Sequence, residues 1–574
     1  LPSEREKMGY TSEDQGPRVG VIKVGRKAPW VILTRSGDRR ILIPMSFIGN
    51  EALVWSYMGN AHEDYWRHSA RSEVSLVSWL DGSRRTVVSA LVFDHSTPNF
   101  APTGRYVVWY DPAKGGYYSF NVETGKIVNI SKGVPVHLYN PDPIGDFPHS
   151  CGIDGWAERG AAVLVNDGYD IWRLDLSGAT APDCITLGVG RTQKMCFSVL
   201  KTTDDLGTAY EAKDNERILY STWNEITGAM GVYAAVPDKK ERPQKLMEGP
   251  YLYSPPVRAK SAKAYLIRLE GADFAPNLYT TNDFLHVKAV TQFKPQSQFN
   301  WYRTQIIRWK LCDGEDGVGV LYKPENFDPR KKYPVIFSLY EGDFGLQNEF
   351  LTPEASSGSI NIPWFVSRGY VVCDPVFRYK VGDPGVSAYE TVISCARHLA
   401  SFRWIDSARM GLQGHSWGGY EVNYIVTRTN LFKAAVSASG LSDLPSSTYN
   451  LHYQTGESDQ YVSETGQVRM GFPVWRNPEA YIRNSPLFHA DKVSTPILIM
   501  SNQNDNKVPW TQGIEWFTAL RRLERSAWMI DYRGEGHAVE SPENQKDFTM
   551  RMLSFFDHYL KGAAEPEWMK YSLK

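Results

Sequence analysis

The chain has 574 residues, room at about 150 residues per domain for several small domains or two larger ones, and too many for a single small module. Its 63 lysines and arginines balance 64 aspartates and glutamates, a formal net charge of −1, so no basic field draws it to nucleic-acid phosphates or anionic lipid. With 42% hydrophobic and 22% charged residues, the composition is that of a globular chain with a sizeable core, which excludes disordered and collagenous classes.

The opening segment, LPSEREKMGY, lacks the basic, apolar and small-residue zones of a signal peptide, and no apolar run reaches the roughly 18 residues of a membrane span. The first residue is Leu1 rather than Met. A processed chain would favour export to a periplasmic or extracellular space, and otherwise the cytoplasm is expected. Six cysteines (Cys151, Cys184, Cys196, Cys312, Cys373 and Cys395) lie far apart with no CxxC pair, so neither a disulfide framework nor a zinc ribbon is expected.

Up to about residue 300 the pattern is of short alternating runs such as YVVWYD (106–111), AAVLVND (161–167) and RILYSTW (217–223), separated by Gly, Pro, Asp and Asn. This spacing predicts many short antiparallel strands. A loose repeat links NFAPTGRYVVWYD (99–111) and the following YYSFNVETGK to GWAERGAAVLVNDGYDIWRLDLSG (155–178). Self-similarity every 40 to 50 residues or so predicts β-propeller blades, with a pair of β-sandwich sheets as the alternative.

Beyond residue 300 apolar strands alternate with helical stretches, as in a mostly parallel, doubly wound sheet covered by helices. The predicted strands are PVIFSLY (334–340), YVVCDPV (370–376), RMGLQG (409–414), KAAVSAS (433–439), PILIMS (496–501) and AWMIDY (527–532). Helical apolar spacing marks residues 386–401, 420–429, 511–523 and 545–562. The sequence therefore predicts a β-propeller over 1–299 followed by a doubly wound α/β domain over 300–574.

Within the second part, GHSWGG (414–419) stands where a strand gives way to an amphipathic helix. Small residues two before and two after Ser416 permit the strained turn of a nucleophile elbow, which lifts a serine hydroxyl clear of the sheet. GxSxG alone is weak, but a serine needs a base, and the elbow predicts an acid and then a histidine downstream. Asp505 follows the strand PILIMS and His537 follows AWMIDY, so both fall at the carboxyl edge where such a sheet delivers its reactive groups.

In these roles His537 takes and returns the Ser416 proton, while Asp505 holds the imidazole tautomer. His415, His489 and His558 lack that placement: His415 points elsewhere from the elbow, and Asp557 and His558 belong to the solvated face of the last helix. An oxyanion forming at the acyl carbon needs donors. The Trp417 amide is one by position, and the Tyr340 phenol, ending the strand in SLYEGD, is a candidate for the other in place of a missing HGGG loop.

These segments resemble the prolyl oligopeptidase family of serine peptidases, a β-propeller joined to a C-terminal α/β-hydrolase domain. The likeness runs through YPVIFSLYEG (333–342), GYVVCDPVFRY (369–379), DSARMGLQGHSWGGY (406–420), TPILIMSNQNDNKVPWTQGIEWFTALRR (495–522), GEGHAVE (534–540) and FFDHYLKG (555–562). It implies Ser416 as nucleophile, Asp505 and His537 as partners, and Tyr340 with the Trp417 amide as oxyanion hole. It also implies a carbonyl-binding role for Lys507, where the family often has Arg or Asn, a point charge in place of a fork.

The chain departs from the pattern at Glu341, where Gly or Ala is usual and where a carboxylate biases the site toward cationic groups or is simply solvated, and at SNQ (501–503), which replaces HG. It has no Glu-Glu dipeptide, the device by which related dipeptidyl peptidases grip an amino terminus, although N-terminal blades missing from the chain could carry it. The expected function is hydrolysis of short peptides through an acyl-enzyme, without metal or organic cofactor. An esterase and a non-catalytic binding protein are the alternatives, and a homo-oligomer or association with a missing N-terminal propeller segment stays open.

Overall fold

The computed structural model describes residues 18–22, 30–43, 49–59, 71–92, 98–140, 147–202, 210–213, 215–342, 347–451 and 458–570; the opening segment LPSEREKMGY lies outside them. The chain divides into two compact units, Leu1–Leu269 with Leu278–Thr291, and Glu270–Asn277 with Gln292–Lys574.

The first unit is built mainly from four-stranded antiparallel meanders, with two-stranded sheets and a five-stranded one beside them. Four meanders follow in sequence: Asp38–Leu42 to Arg84–Val92, Asn99–Phe100 to Ile127–Asn129, Ile153–Ala157 to Asp183–Cys184, and Met195–Val199 to Gln244–Gly249. The repeat seen in the sequence is the second and third of these, with Gly104, Gly115 and Gly125 turning one and Gly160, Gly168 and Gly178 the other, all at positive φ, where glycine meets no steric cost.

Each meander hides its apolar faces against its neighbours in sequence. Trp55, Leu76 and Leu91 of the first meet Val107, Trp109 and Phe120 of the second. Val108, Tyr110 and Tyr117 of the second meet Trp156, Val163 and Leu174 of the third, and Leu164 and Ile171 of the third meet Phe197, Tyr220 and Tyr233 of the fourth. Sheets therefore pack in series, unlike a two-sheet sandwich. Among the described residues they do not form a closed ring, because no shared core joins the last of these sheets to the first.

The second unit holds an eight-stranded sheet. Its strands in chain order are β1 (Tyr302–Lys310), β2 (Asp316–Pro324), β3 (Tyr333–Leu339), β4 (Val371–Pro375), β5 (Ile405–His415), β6 (Ala434–Ala438), β7 (Ile497–Met500) and β8 (Ala527–Ile530). Their spatial order is β1-β2-β4-β3-β5-β6-β7-β8. The first two strands pair antiparallel and β2 joins β4 antiparallel, while all remaining pairs are parallel.

Helices α1 (Pro384–Ala400), α2 (Trp417–Val426), α3 (Trp510–Arg522) and α4 (Pro542–Lys561) cover the sheet. The period-two rule of strands assigns the faces. Val335, Phe337, Cys373, Ala435, Ile497 and Ile499 pack with Val392, Leu399, Val422, Trp516 and Leu520 of α1, α2 and α3. Their alternates, Ile336, Val372, Val436, Leu498 and Met500, pack with Phe548, Met552, Phe555 and Phe556 of α4. Burial on both faces explains why these strands read as continuous apolar runs. Gly562, in the left-handed region at φ 72°, closes α4. Among the described residues no helix is long and apolar enough to cross a membrane.

Candidate active site

Parallel register brings the chemistry to one edge. Leu339 pairs with Gly414, His415 with Ala438, Ala438 with Met500, and Met500 with Ile530. The residues that follow β3, β5, β7 and β8 therefore emerge together at the carboxyl end of the sheet, where ligands of open α/β sheets bind. Those residues include Tyr340, Ser416, Asp505 and His537.

Ser416 sits between β5 and α2 with φ 60° and ψ −118°, a conformation that a residue with a side chain rarely takes and that costs of order 1–3 kcal/mol. Its N–H donates to the Ala438 carbonyl, 2.8 Å away. The neighbouring glycines are forced by packing: a Cβ on Gly418 would lie 1.9 Å from the Leu339 carbonyl oxygen, and one on Gly414 would lie 2.2 Å from that of Gly418. The turn is thus wedged between β3 and β6, and Ser416 precedes the N-terminus of α2.

Asp505 and His537 are brought together by a stitched pair of loops. The Asn502 side chain accepts from the Tyr532 N–H at 3.0 Å and donates to the Gly536 carbonyl at 2.9 Å. Asp505 Oδ1 accepts the N–H groups of Lys507 at 2.8 Å and Val508 at 2.9 Å, and its side chain is only 1% exposed. His537 Nδ1 lies 2.9 Å from Oδ1 and 2.8 Å from Oδ2 of that carboxylate, which leaves Nε2 as the free ring nitrogen of this pair.

His415 is placed against this pair, although the sequence sent it elsewhere. Its ring centroid lies 4.7 Å from that of His537, and its Nε2 donates to the His537 carbonyl at 2.9 Å; a carbonyl can only accept, so Nε2 carries the proton. Ser439 Oγ donates to the same carbonyl at 3.0 Å. Burial, with the neighbouring His537, holds His415 below the usual histidine range, because the charged ring would lose its water and face a second imidazole.

Ser416, Trp417, His537, Tyr340 and Lys507 all line one cavity of about 320 Å³, walled further by Leu441, Tyr461, Val462 and Val468. Tyr340 is 46% exposed, with its hydroxyl 3.4 Å from Gln467 Nε2. Glu341 is not among the lining residues, and its carboxylate instead accepts from Arg469 Nη1 at 2.8 Å. Among the described residues no cluster of three His, Cys, Asp or Glu forms a metal site.

Behind the cavity lies a polar network that sequence reasoning missed. The Trp417 indole donates to the Tyr379 hydroxyl at 2.9 Å, Tyr379 donates to Glu421 Oε1, and the Arg469 guanidinium carbon lies 4.5 Å from the Tyr379 ring centroid. Burial pushes the fully enclosed Glu421 carboxyl far above the ordinary range. The one available signal was the acid itself, standing in the apolar helix segment YEVNYIV of α2.

Comparison with known proteins places this site in context. Residues 357–563 match the model of the prolyl oligopeptidase family, a span that contains Ser416, Trp417, Asp505, Lys507 and His537 and begins after Tyr340 and Glu341. The chain is 27% identical over 258 residues to the uncharacterized peptidase YuxL of Bacillus subtilis, covering 43% of this chain and 38% of that protein. It is 27% identical over 255 residues to dipeptidyl-peptidase 5 of Schizosaccharomyces pombe, covering 42% of this chain and 35% of that protein. The matches thus span little more than a third of these relatives' length. A solved puromycin-hydrolyzing peptidase of Mycobacterium tuberculosis shares the fold, with TM-score 0.63 and 18% identity over 95% of this chain and 83% of the other.

Proposed function

We propose that this chain, which carries a prolyl oligopeptidase family domain at residues 357–563, is a serine peptidase that hydrolyses short peptides through an acyl-enzyme. In this reading Ser416 Oγ attacks the scissile carbonyl carbon while His537 Nε2 accepts its proton. The tetrahedral intermediate then collapses as His537 returns the proton to the leaving amine, and a water repeats the sequence to release the acid. Asp505 fixes the tautomer with Nδ1–H and stabilises the imidazolium, and the Trp417 amide and Tyr340 hydroxyl receive the oxyanion. Lys507, at the cavity wall, donates to a substrate carbonyl.

The observation that carries this reading is that Ser416 and His537 line one cavity, with the Asp505 carboxylate 2.8 Å behind His537 Nδ1. Relatives named dipeptidyl-peptidase and a solved peptidase that hydrolyses puromycin support peptide-like substrates over simple esters. Glu341 serves the site through Arg469 in this reading, since its carboxylate is already engaged. The serial packing of the four-stranded sheets supports reading 1–299 as propeller blades joined to a hydrolase domain over 300–574.

A fluorophosphonate probe together with a mixed peptide library read by mass spectrometry tests the proposal. The expected result is labelling at Ser416, peptide cleavage, and loss of both in Ser416→Ala. A chain that neither labels nor cleaves overturns it, cleavage of p-nitrophenyl esters alone assigns an esterase, and cut positions separate removal of amino-terminal dipeptides from internal cleavage.

A further inference from the structure

The buried side of the site holds a cation that the chemistry above does not use. Arg469 exposes only 4% of its side chain, has a left-handed backbone at φ 56°, and bridges segments far apart in sequence. Its Nη1 donates to the Gln467 carbonyl at 2.6 Å and to Glu341 Oε1 at 2.8 Å. Its carbonyl accepts from the Gly382 N–H at 2.8 Å, and its guanidinium lies over the Tyr379 ring. An enclosed charge on strained backbone persists only where surrounding structure over-determines it, which is typical of functional sites.

Three of these contacts, to Glu341, Gln467 and Tyr379, lead on to the proposed oxyanion donors. On one side Glu341 directly follows Tyr340, and Gln467, whose carbonyl Arg469 holds, reaches the Tyr340 hydroxyl with its side chain. On the other side the Tyr379 ring packs under Arg469, and its hydroxyl receives the indole N–H of Trp417, the residue whose amide is the second donor. Tyr340 and Trp417 come from different strand ends, β3 and β5, so their relative position is not fixed by one backbone segment.

We propose that Arg469 is a positioning residue for the oxyanion hole, holding the Tyr340 hydroxyl and the Trp417 amide in mutual register through Glu341, Gln467 and Tyr379. The inference rests on the serine-peptidase reading above. Arg469 touches neither substrate nor reacting atoms, and it acts by keeping both donors aimed at the point where negative charge develops, where a misplacement of about 1 Å costs on the order of a hundredfold.

A double-mutant cycle with Tyr340→Phe tests it. Arg469→Met in the otherwise native chain is expected to lower kcat about ten- to a hundredfold with little change in KM, and Arg469→Lys, which keeps the charge but not the fork, to recover part of the loss. With the Tyr340 hydroxyl already absent, the same Arg469→Met change is expected to cost less, since only the Trp417 amide is left to misplace. Because removing a buried cation can unfold a chain, Glu341→Ala provides a second cycle: its side chain is 30% exposed, and a smaller loss with the same non-additivity is expected.

Equal losses from Arg469→Met, or from Glu341→Ala where the first variant does not fold, in the native and Tyr340→Phe backgrounds overturn the proposal. So does an unchanged kcat. Failure of the peptidase reading is distinguishable, since the unmodified chain then shows neither fluorophosphonate labelling nor turnover.

Discussion

At the scale of single residues, the proposed mechanism separates groups that change charge from groups that must not. Asp505→Asn is expected to lower kcat on the order of 10⁴-fold by presenting the wrong partner to His537 Nδ1, and Tyr340→Phe roughly 10²- to 10³-fold; steady-state kinetics on a cleaved peptide checks both, and Tyr340 loses its assignment if the phenylalanine variant keeps full kcat. Glu421 belongs to the second group. Burial raises its carboxyl, Glu341 and Asp374 add to the shift, and the Tyr379 hydrogen bond and Arg469 oppose it. The folded chain therefore holds a proton that the unfolded chain releases above its ordinary value of 4.5. Stability from this group is full below that value and falls as pH rises toward the folded pKa, by about 1.4 kcal/mol per pH unit. Glu421→Gln keeps an acceptor for Tyr379 and has no proton to lose, so its stability relative to the native chain is expected to rise as pH climbs from 4.5 toward the folded pKa in urea denaturation. A difference that stays constant with pH contradicts the buried neutral acid.

At the scale of elements, the elbow is a packing problem before it is a chemical one. Gly418→Ala would drive a methyl to 1.9 Å from the Leu339 carbonyl oxygen, backbone that cannot swing aside, so a loss of about 3 kcal/mol or more is expected, seen as a lower denaturant midpoint; native stability in that variant would mean β3 and α2 are not in contact as described. The sequence showed this region well because its central strands are buried on both faces: PVIFSLY and PILIMS stand out as apolar runs and became β3 and β7, while AWMIDY became the partly buried edge strand β8. The β1–β2 hairpin was not legible, since the half-exposed YRTQIIRWK mixes charges into its run and DGVGVLYKP, though mostly buried, is broken by glycines and a closing Lys-Pro. In the first unit Arg71–Ser78 escaped notice for another reason, as Ser72 and Ser75 are buried at places where apolar residues would have marked the strand. The Asp505–His537 contact was legible because strand ends locate both residues, whereas the role proposed for Arg469 was not: it depends on Glu341, Gln467 and Tyr379, contacts that no local pattern encodes.

At the scale of the whole molecule, the change in sequence grammar near residue 300 and the physical limits of the second compact unit do not coincide. Residues Glu270–Asn277 belong to that unit, and Ala272 and Ala275 lie in the core shared by Tyr302, Tyr322, Ile336 and α4. The Trp301 indole, itself buried and stacked 4.8 Å from the Phe350 ring, donates to the Ala272 carbonyl at 2.7 Å. A chain cut to 300–574 loses the acceptor of a buried donor together with the packing of two alanines, whereas one cut to 270–574 keeps both. An orphaned buried N–H costs about 1–3 kcal/mol and the lost apolar contact adds to it, so the shorter piece is expected to be less stable by roughly 2–4 kcal/mol. Guanidinium unfolding followed by tryptophan fluorescence measures the difference, and fluorophosphonate labelling of Ser416 at low denaturant shows whether the elbow survives in each. Equal midpoints for the two pieces would mean that the 270–277 segment adds nothing to the hydrolase core, and the unit would then begin where the sequence pattern changes.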